Sequence, residues 1–209
     1  MKLRVYQFSL GFLPTNCYLL VNEETGHAAL VDPAVYDASV TTAMNEHGVT
    51  ELTYILLTHG HFDHILGVPR FKELHPEAKV VISKIDERAL YDPNYSLVGD
   101  FGMPEQHPMR ADLLVEDGTA LDFDDGSIKV IHTPGHTEGS VCYQIQDILL
   151  TGDTLFQMSC GRTDFIDGDP AAMRRSLKKL AALPGNYQVL PGHDALSDLD
   201  FERQHNPYL

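Results

Sequence analysis

Four apolar runs in this chain each end in a short turn that leads into a His or Asp side chain. The runs have the length and the β-branched content of buried strands. In three of the four turns a Gly directly precedes the polar residue, and Gly permits the tight turn and close backbone approach needed there. If the four strands are neighbours, their ends place these side chains on one rim of the fold. The four positions are His59, His136, Asp153 and His193.

The first of these turns contains the most ligand-type side chains, because residues 59–64 have the sequence H-G-H-F-D-H. His59, His61, Asp63 and His64 cannot be core filling, since burying such polar groups without partners is costly. A metal ion is the simplest partner for so many. An isolated H-x-H pair would be coincidence more often than not, but the three later ligand-type residues make chance an unconvincing explanation.

The complete candidate set is too large for one tetrahedral zinc ion. It suits two divalent ions that share an aspartate and a water molecule. Neutral imidazoles with two carboxylates favour Zn, and after it Fe or Mn, over Ca or Mg. Two such ions outweigh the carboxylates, so the centre can attract an anionic small-molecule substrate. The candidate ligands are His59, His61, Asp63, His64, His136, Asp153 and His193.

Composition narrows the function classes. A net charge of −15 argues against a nucleic-acid surface, and no apolar run reaches membrane-spanning length. Three cysteines without a C-x-x-C pattern argue against a disulfide framework and against a thiolate zinc site. The amino terminus lacks the features of a signal peptide, so a cytoplasmic location is expected. We find no linker and predict a single domain over 1–209.

Strands and helices alternate in two successive halves, which predicts an α/β fold of two sheets with helices on their outer sides. Residues 91–110 are irregular and are interpreted as a long loop or broken helix of the kind that often forms a lid. Predicted strands cover 3–8, 16–21, 28–31, 54–57, 79–82, 127–132, 141–145, 148–150 and 187–190. Predicted helices cover 38–47, 65–74 and 170–182, the last with Asp169 as N-cap.

The ligand motifs resemble the metallo-β-lactamase superfamily. The segments 161–165 and 202–207 are similar to its short, single-domain glyoxalase II-like branch, the hydroxyacylglutathione hydrolases. The resemblance implies a four-layer αββα sandwich with a dinuclear site at one edge of the two sheets. It also implies that Asp153 bridges the two metals. The first metal would be held by His59, His61 and His136, and the second by Asp63, His64 and His193.

This resemblance implies hydrolysis of thioesters such as S-2-hydroxyacylglutathione by a metal-bridging hydroxide. Asp63 and Asp153 are the candidate catalytic residues, and Asp63 could orient the nucleophile. Arg162 could meet a substrate carboxylate through bidentate contacts, and a structural salt bridge is an equally good interpretation. Asp32 and Thr58 are candidates for fixing the histidine tautomers.

Several alternatives stay open. β-Lactamases of this superfamily lack the bridging aspartate, so Asp153 argues against antibiotic hydrolysis. The chain ends soon after His193, and we expect no C-terminal helical domain that would grip glutathione, so another small ester or lactone is a possible substrate. A persulfide dioxygenase-like enzyme would use one iron on His59, His136 and Asp153. A non-enzymatic, metal-loaded interaction or sensor protein is the third class.

Overall fold

Two six-stranded sheets pack face to face in the computed structural model, which describes residues 1–102 and 106–209. The first sheet has the order β1-β2-β3-β4-β5-β6. Its first three strands are antiparallel, and from β3 onward each strand runs parallel to its neighbour. The strands are β1 (Leu3–Leu10), β2 (Thr15–Asn22), β3 (His27–Val31), β4 (Glu51–Leu56), β5 (Lys79–Ser83) and β6 (Leu113–Val115).

The second half of the chain builds the other sheet and a small hairpin. The sheet has the order β14-β13-β10-β9-β8-β7, and only β10 and β13 in it are parallel. Strands β11 and β12 pair with each other as a separate hairpin. The bounds are β7 (Ala120–Phe123), β8 (Gly126–His132), β9 (Val141–Ile145), β10 (Ile148–Gly152), β11 (Leu155–Phe156), β12 (Ser159–Cys160), β13 (Gln188–Pro191) and β14 (Ser197–Asp198).

Six α-helices and one 3-10 helix, Asp86–Leu90, connect these strands in the described part of the chain. The predicted N-cap is confirmed, since Asp169 accepts hydrogen bonds from the backbone N–H groups at the start of the fifth helix. The helices are α1 (Ala38–Glu46), α2 (Phe62–Ile65), α3 (Val68–Leu74), α4 (Pro93–Ser96), α5 (Pro170–Ala181) and α6 (Leu199–His205).

Alternating side chains of the strands divide the core into three layers. Along β2, Leu20 points into the space between the sheets, where it packs with residues such as Tyr143. Its neighbour Leu19 points the other way and joins the layer under α1 and α3. On the far side, Leu149 of β10 packs against Leu177 of α5. This two-residue period confirms the αββα sandwich.

Some elements differ from the prediction. The helix expected over 65–74 begins only at Val68, and a separate turn, α2, precedes it. Gly67 lies between them, packed so tightly on the backbone of Pro33 and Val35 that a side chain would not fit. In the predicted loop 91–110 the structure forms α4, while residues 103–105 lie outside the described residues. Strands β6, β7, β11, β12 and β14 and helix α6 were not predicted.

Helix α6 is short, but a buried polar network fixes it to the β11–β12 hairpin. The fully buried Glu202 carboxylate accepts the Met158 N–H at 2.9 Å and the Asn206 amide N–H at 2.7 Å. Asn206 also donates to the Ser159 carbonyl at 3.0 Å. These contacts add to the local N-cap, Asp198, which accepts the Phe201 N–H at 2.9 Å. No described helix is long and apolar enough to cross a membrane.

The first prediction concerns the joint between the sheets. The Tyr143 hydroxyl, fully buried, donates to the Leu57 carbonyl at 2.8 Å just before the ligand turn. Tyr143→Phe leaves that carbonyl without this partner, so we expect the free energy of unfolding to fall by about 1–3 kcal/mol in urea denaturation. Tyr208→Phe, at a residue that is 55% exposed, is the matched control. Equal effects of the two variants would contradict this role.

Candidate metal centre

A buried aspartate fixes the turn that carries the H-x-H-x-D-H motif. Asp32 follows β3, has a φ of 47°, and is 2% exposed. Its carboxylate accepts the Thr58 N–H at 2.8 Å and the Thr58 hydroxyl at 2.6 Å. It also accepts a hydrogen bond from Nδ1 of His64 at 2.9 Å. The contact with a histidine that was expected of Asp32 is thus present, and its effect on the tautomer stays a prediction.

His59, His61 and His136 turn their ring nitrogens toward one point. His61 Nδ1 lies 3.1 Å from His59 Nε2 and 2.8 Å from His136 Nε2. The Thr58 hydroxyl, which donates to Asp32, can only accept from His59 Nδ1, and the Arg162 carbonyl accepts from His136 Nδ1 at 2.7 Å. His59 and His136 therefore present the lone pairs of Nε2 to the same point, an arrangement that a cation satisfies.

Burial favours the neutral form of two rings of this first group, His59 and His61. It lowers the pKa of His59 and of His61 well below the usual value, and the neighbouring imidazoles act in the same direction. Neutral imidazole is the form that binds metal. The rings of His59 and His61 are thus held in the protonation state that ligation requires.

Asp63, His64 and His193 form a second group beside the first. His193 Nε2 lies 3.2 Å from Asp63 Oδ2, and His64 Nε2 lies 3.7 Å from the same oxygen. Because His64 donates from Nδ1 to Asp32, its Nε2 is the free nitrogen, and that atom is buried without a hydrogen-bond partner. The group offers two imidazole nitrogens and one carboxylate oxygen within reach of a single ion.

The electrostatics of the second group favour a positive charge. Burial alone would lower the pKa of His64, but the carboxylates of Asp63, Asp32 and Asp153 outweigh it and raise that pKa to about 10. Burial also acts to lower the pKa of His193, but the Asp63 carboxylate acts in the opposite direction and the pKa is raised. The negative charge that attracts a proton here would equally attract a metal cation.

Asp153 lies between the two groups. Its Oδ2 is 3.4 Å from His136 Nε2 and 3.6 Å from His193 Nε2, while its Oδ1 is 3.5 Å from His64 Nε2. Oδ1 is buried and has no hydrogen-bond partner. The preceding Gly152 has a φ of 47°, and a Cβ there would strike the Thr58 hydroxyl, so the turn needs glycine.

The residues fit two metal ions. The first group would hold one ion, the second group the other, and Asp153 could contact both. Two orphaned buried atoms, His64 Nε2 and Asp153 Oδ1, lack the partner that such a cation would supply. Nitrogen and carboxylate donors suit Zn, Fe or Mn. The structure thus brings all seven candidate ligands together on one rim.

Arg162, the candidate substrate contact, lies at the mouth of this site. Its guanidinium donates two hydrogen bonds of 2.7 Å to the exposed Asp164 and lies 4.2 Å from the centre of the Phe165 ring. The salt-bridge interpretation therefore describes its side chain. Its contact with a substrate carboxylate stays a prediction.

One residue of the site had no signal in the sequence. The buried carboxylate of Asp86 accepts the N–H of Gly60 at 3.1 Å, the N–H of Gly139 at 2.9 Å and the Thr137 hydroxyl at 2.7 Å. It therefore ties the turn with His59 and His61 to the turn with His136. Burial raises the pKa of this carboxyl.

Comparison with known proteins agrees with this architecture. The model of the metallo-beta-lactamase superfamily matches residues 10–193. The chain belongs to the metallo-β-lactamase superfamily. Among curated superfamily relatives, the probable metallo-hydrolase YqgX of Bacillus subtilis is 32% identical over 96% of this chain and 94% of its own. The human mitochondrial persulfide dioxygenase ETHE1 is 31% identical over 95% of this chain and 74% of its own.

Solved structures of the superfamily overlay on nearly the whole chain. The BLEG-1 B3 metallo-β-lactamase has a TM-score of 0.91 at 34% identity and covers 99% of both chains. TTHA1623, solved in a di-iron-bound form, has a TM-score of 0.85 at 30% identity and covers 98% of this chain and 100% of its own. These relatives differ in their named activities, so the glyoxalase II-like branch stays a prediction.

The second prediction tests the orienting role of Asp32. In Asp32→Asn, an amide N–H₂ in place of Oδ2 would face two donors, the Thr58 hydroxyl and His64 Nδ1. His64 would lose its fixed tautomer, and we expect metal affinity to fall by about 10–100-fold. Chelator competition with metal analysis measures this.

The control for this variant is Asp117→Asn, which removes a surface carboxylate paired with Lys179. It should leave the metal affinity unchanged. Unchanged affinity in Asp32→Asn as well would show that Asp32 does not act through His64.

Proposed function

We propose that this protein is a metal-dependent thioester hydrolase of the glyoxalase II type, acting on substrates such as S-2-hydroxyacylglutathione. One observation carries the proposal: two complete ligand groups lie side by side, with Asp153 within 3.6 Å of nitrogens in both. A hydrolase with two ions needs both groups. A single-metal enzyme would leave the second group without a purpose.

Two divalent ions, when bound, would lower the pKa of a water molecule to near neutrality and polarise a substrate carbonyl. The protein's own residues do the positioning. Asp63 Oδ2 accepts the Thr15 hydroxyl at 3.4 Å and faces His193, so Asp63 can orient a nucleophile at the cavity floor. A thiolate leaving group needs little protonation, so thioester cleavage does not depend on a separate general acid.

We propose zinc as the native metal, with iron or manganese as the other candidates. The donor set is compatible with all three. TTHA1623, which is 30% identical, was solved with two irons, and this supports a dinuclear centre more than it supports a particular metal. The anionic character of the substrate and the cytoplasmic location stay predictions.

A persulfide dioxygenase-like activity is the second candidate. It is favoured by the 31% identity to ETHE1 and would use one iron with O₂ as co-substrate. His59, His136 and Asp153 would hold that iron, and the Asp153 carboxylate lies 3.4 Å from the His136 ring nitrogen. The intact second group, Asp63, His64 and His193, makes this assignment weaker than the hydrolase.

The deciding experiment measures metal content and two reactions on the same purified protein. Hydrolysis of S-lactoylglutathione is followed together with oxygen uptake and sulfite formation from glutathione persulfide. Two metals per chain with thioester turnover would support the hydrolase. One iron per chain with oxygen uptake would overturn it. A β-lactam in the same panel tests for the activity named for BLEG-1. A lactone tests the alternative that the substrate is another small ester or lactone.

The third prediction concerns the shared carboxylate. Asp153→Ala removes an oxygen ligand from both groups at once, so we expect it to lose both metals and to lower kcat/KM by at least about 100-fold. Elemental analysis and steady-state kinetics measure the two effects. Asp117→Ala, at an exposed carboxylate paired with Lys179, should behave like the wild type. Normal metal content and rate in Asp153→Ala would show that Asp153 does not bridge.

A further inference from the structure

Phenyl rings border both halves of the candidate metal centre. The centre of the Phe165 ring lies 5.3 Å from that of His61 and 6.0 Å from that of His136, both nearly perpendicular. On the other side, the Phe156 ring lies 6.1 Å from His193 at an interplanar angle of 90°. A carbonyl placed over the ligands would therefore have an aromatic edge or face on either side.

A third ring extends this apolar surface away from the centre. Phe101 lies 6.4 Å from Phe165 and 5.0 Å from the buried Phe62, and it is 38% exposed. Leu13 and Leu97 belong to the apolar cluster behind these rings. We refer to Phe101, Phe156 and Phe165 as the phenyl wall. All three line a cavity of about 540 Å³ that opens over the metal ligands.

The charges around this cavity do not select a polar acyl group. Among its described lining residues Arg162 is the one Lys or Arg side chain, and both of its hydrogen bonds go to Asp164. The guanidinium also lies against the Phe165 ring, so it supports the phenyl wall while Asp164 offsets its charge. Six of the described lining residues are Phe or Leu, so the cavity offers apolar surface to the group beside the carbonyl.

We propose that the acyl group of the substrate is an apolar aryl or alkyl group of about the size of phenylacetyl. Edge-to-face contacts with the phenyl wall would hold it, and a small hydroxylated acyl group such as lactoyl would leave most of that wall in water. The cavity is of ordinary size for such a ligand. This inference rests on the proposed thioester hydrolysis and departs from it in one respect, since it replaces the 2-hydroxyacyl group with an apolar acyl group.

The kinetic test keeps the thiol constant and varies the acyl group. Metal-loaded protein is assayed with the lactoyl, acetyl and phenylacetyl thioesters of glutathione. We expect kcat/KM for phenylacetyl to exceed that for lactoyl by about tenfold or more. A lactoyl rate equal to or above the phenylacetyl rate would overturn the acyl-group inference and leave the hydrolase standing. Failure to hydrolyse any of the three would instead overturn the proposed function.

A matched pair of variants locates the preference. Phe101→Ala should lower kcat/KM for the phenylacetyl thioester about tenfold more than for the acetyl thioester. Phe201→Ala removes a ring of nearly the same exposure, 37%, from α6. It should leave kcat/KM unchanged for both thioesters. Equal losses on both thioesters in Phe101→Ala would show a general structural effect and contradict the inference.

A binding measurement decides the question independently of turnover. 2-Phenylacetamide and lactamide are neutral amide counterparts of the phenylacetyl and lactoyl thioesters. Their dissociation constants can be measured by NMR titration of metal-free and metal-loaded protein. We expect 2-phenylacetamide to bind at least about tenfold more tightly, and Phe101→Ala, but not Phe201→Ala, to remove the difference. Equal affinities for the two amides in wild type would overturn the inference even if no thioester is hydrolysed.

Discussion

The carboxylate of Asp32 is the contact on which the metal centre depends. It is buried, and a buried charge is tolerated only when hydrogen bonds satisfy it. Three donors, two from Thr58 and one from His64, do so. The same bonds fix the end of β4, orient His64 directly and orient His59 through the Thr58 hydroxyl. One anion at the end of β3 thus sets the direction of ligands in both groups.

The centre also depends on the seam between the two sheets. The first sheet supplies the ligands of residues 59–64, and the second supplies His136, Asp153 and His193. Polar bonds join the sheets beside them: Tyr18 donates its hydroxyl to the Pro191 carbonyl at 2.7 Å, and the Asn16 N–H donates to the Gly192 carbonyl at 2.7 Å. Neither half of the chain could assemble the ligand set alone, because the spacing of the two groups is a property of the interface.

The sequence predicted those parts of the fold that repeat a strong local pattern. Buried strands followed by a short turn and a ligand identified β4, β8, β10 and β13 and placed all seven ligands on one rim. Strand β7 was missed because half of its residues are Ala and Asp, which are depleted in strands. Helix α6 was missed because it is short and is fixed by contacts of Glu202 that are distant in sequence. Asp86 was missed for the same reason: its three partners lie in two other turns. Local pattern cannot reveal a residue whose role is to join segments.

Because of the network around Glu202, the shape of the cavity wall and the integrity of the metal-ligand set depend on different contacts. This network holds the hairpin that carries Phe156 and Cys160 on the cavity wall. In the described part of the chain, the side-chain hydrogen bonds of Glu202 and Asn206 go to residues other than the metal ligands. Substitution of Glu202 can therefore change the shape of the wall while the ligand set stays intact. The relatives of this chain differ in named activity, and such a peripheral support offers a route by which substrate range can diverge without changing the ligand set.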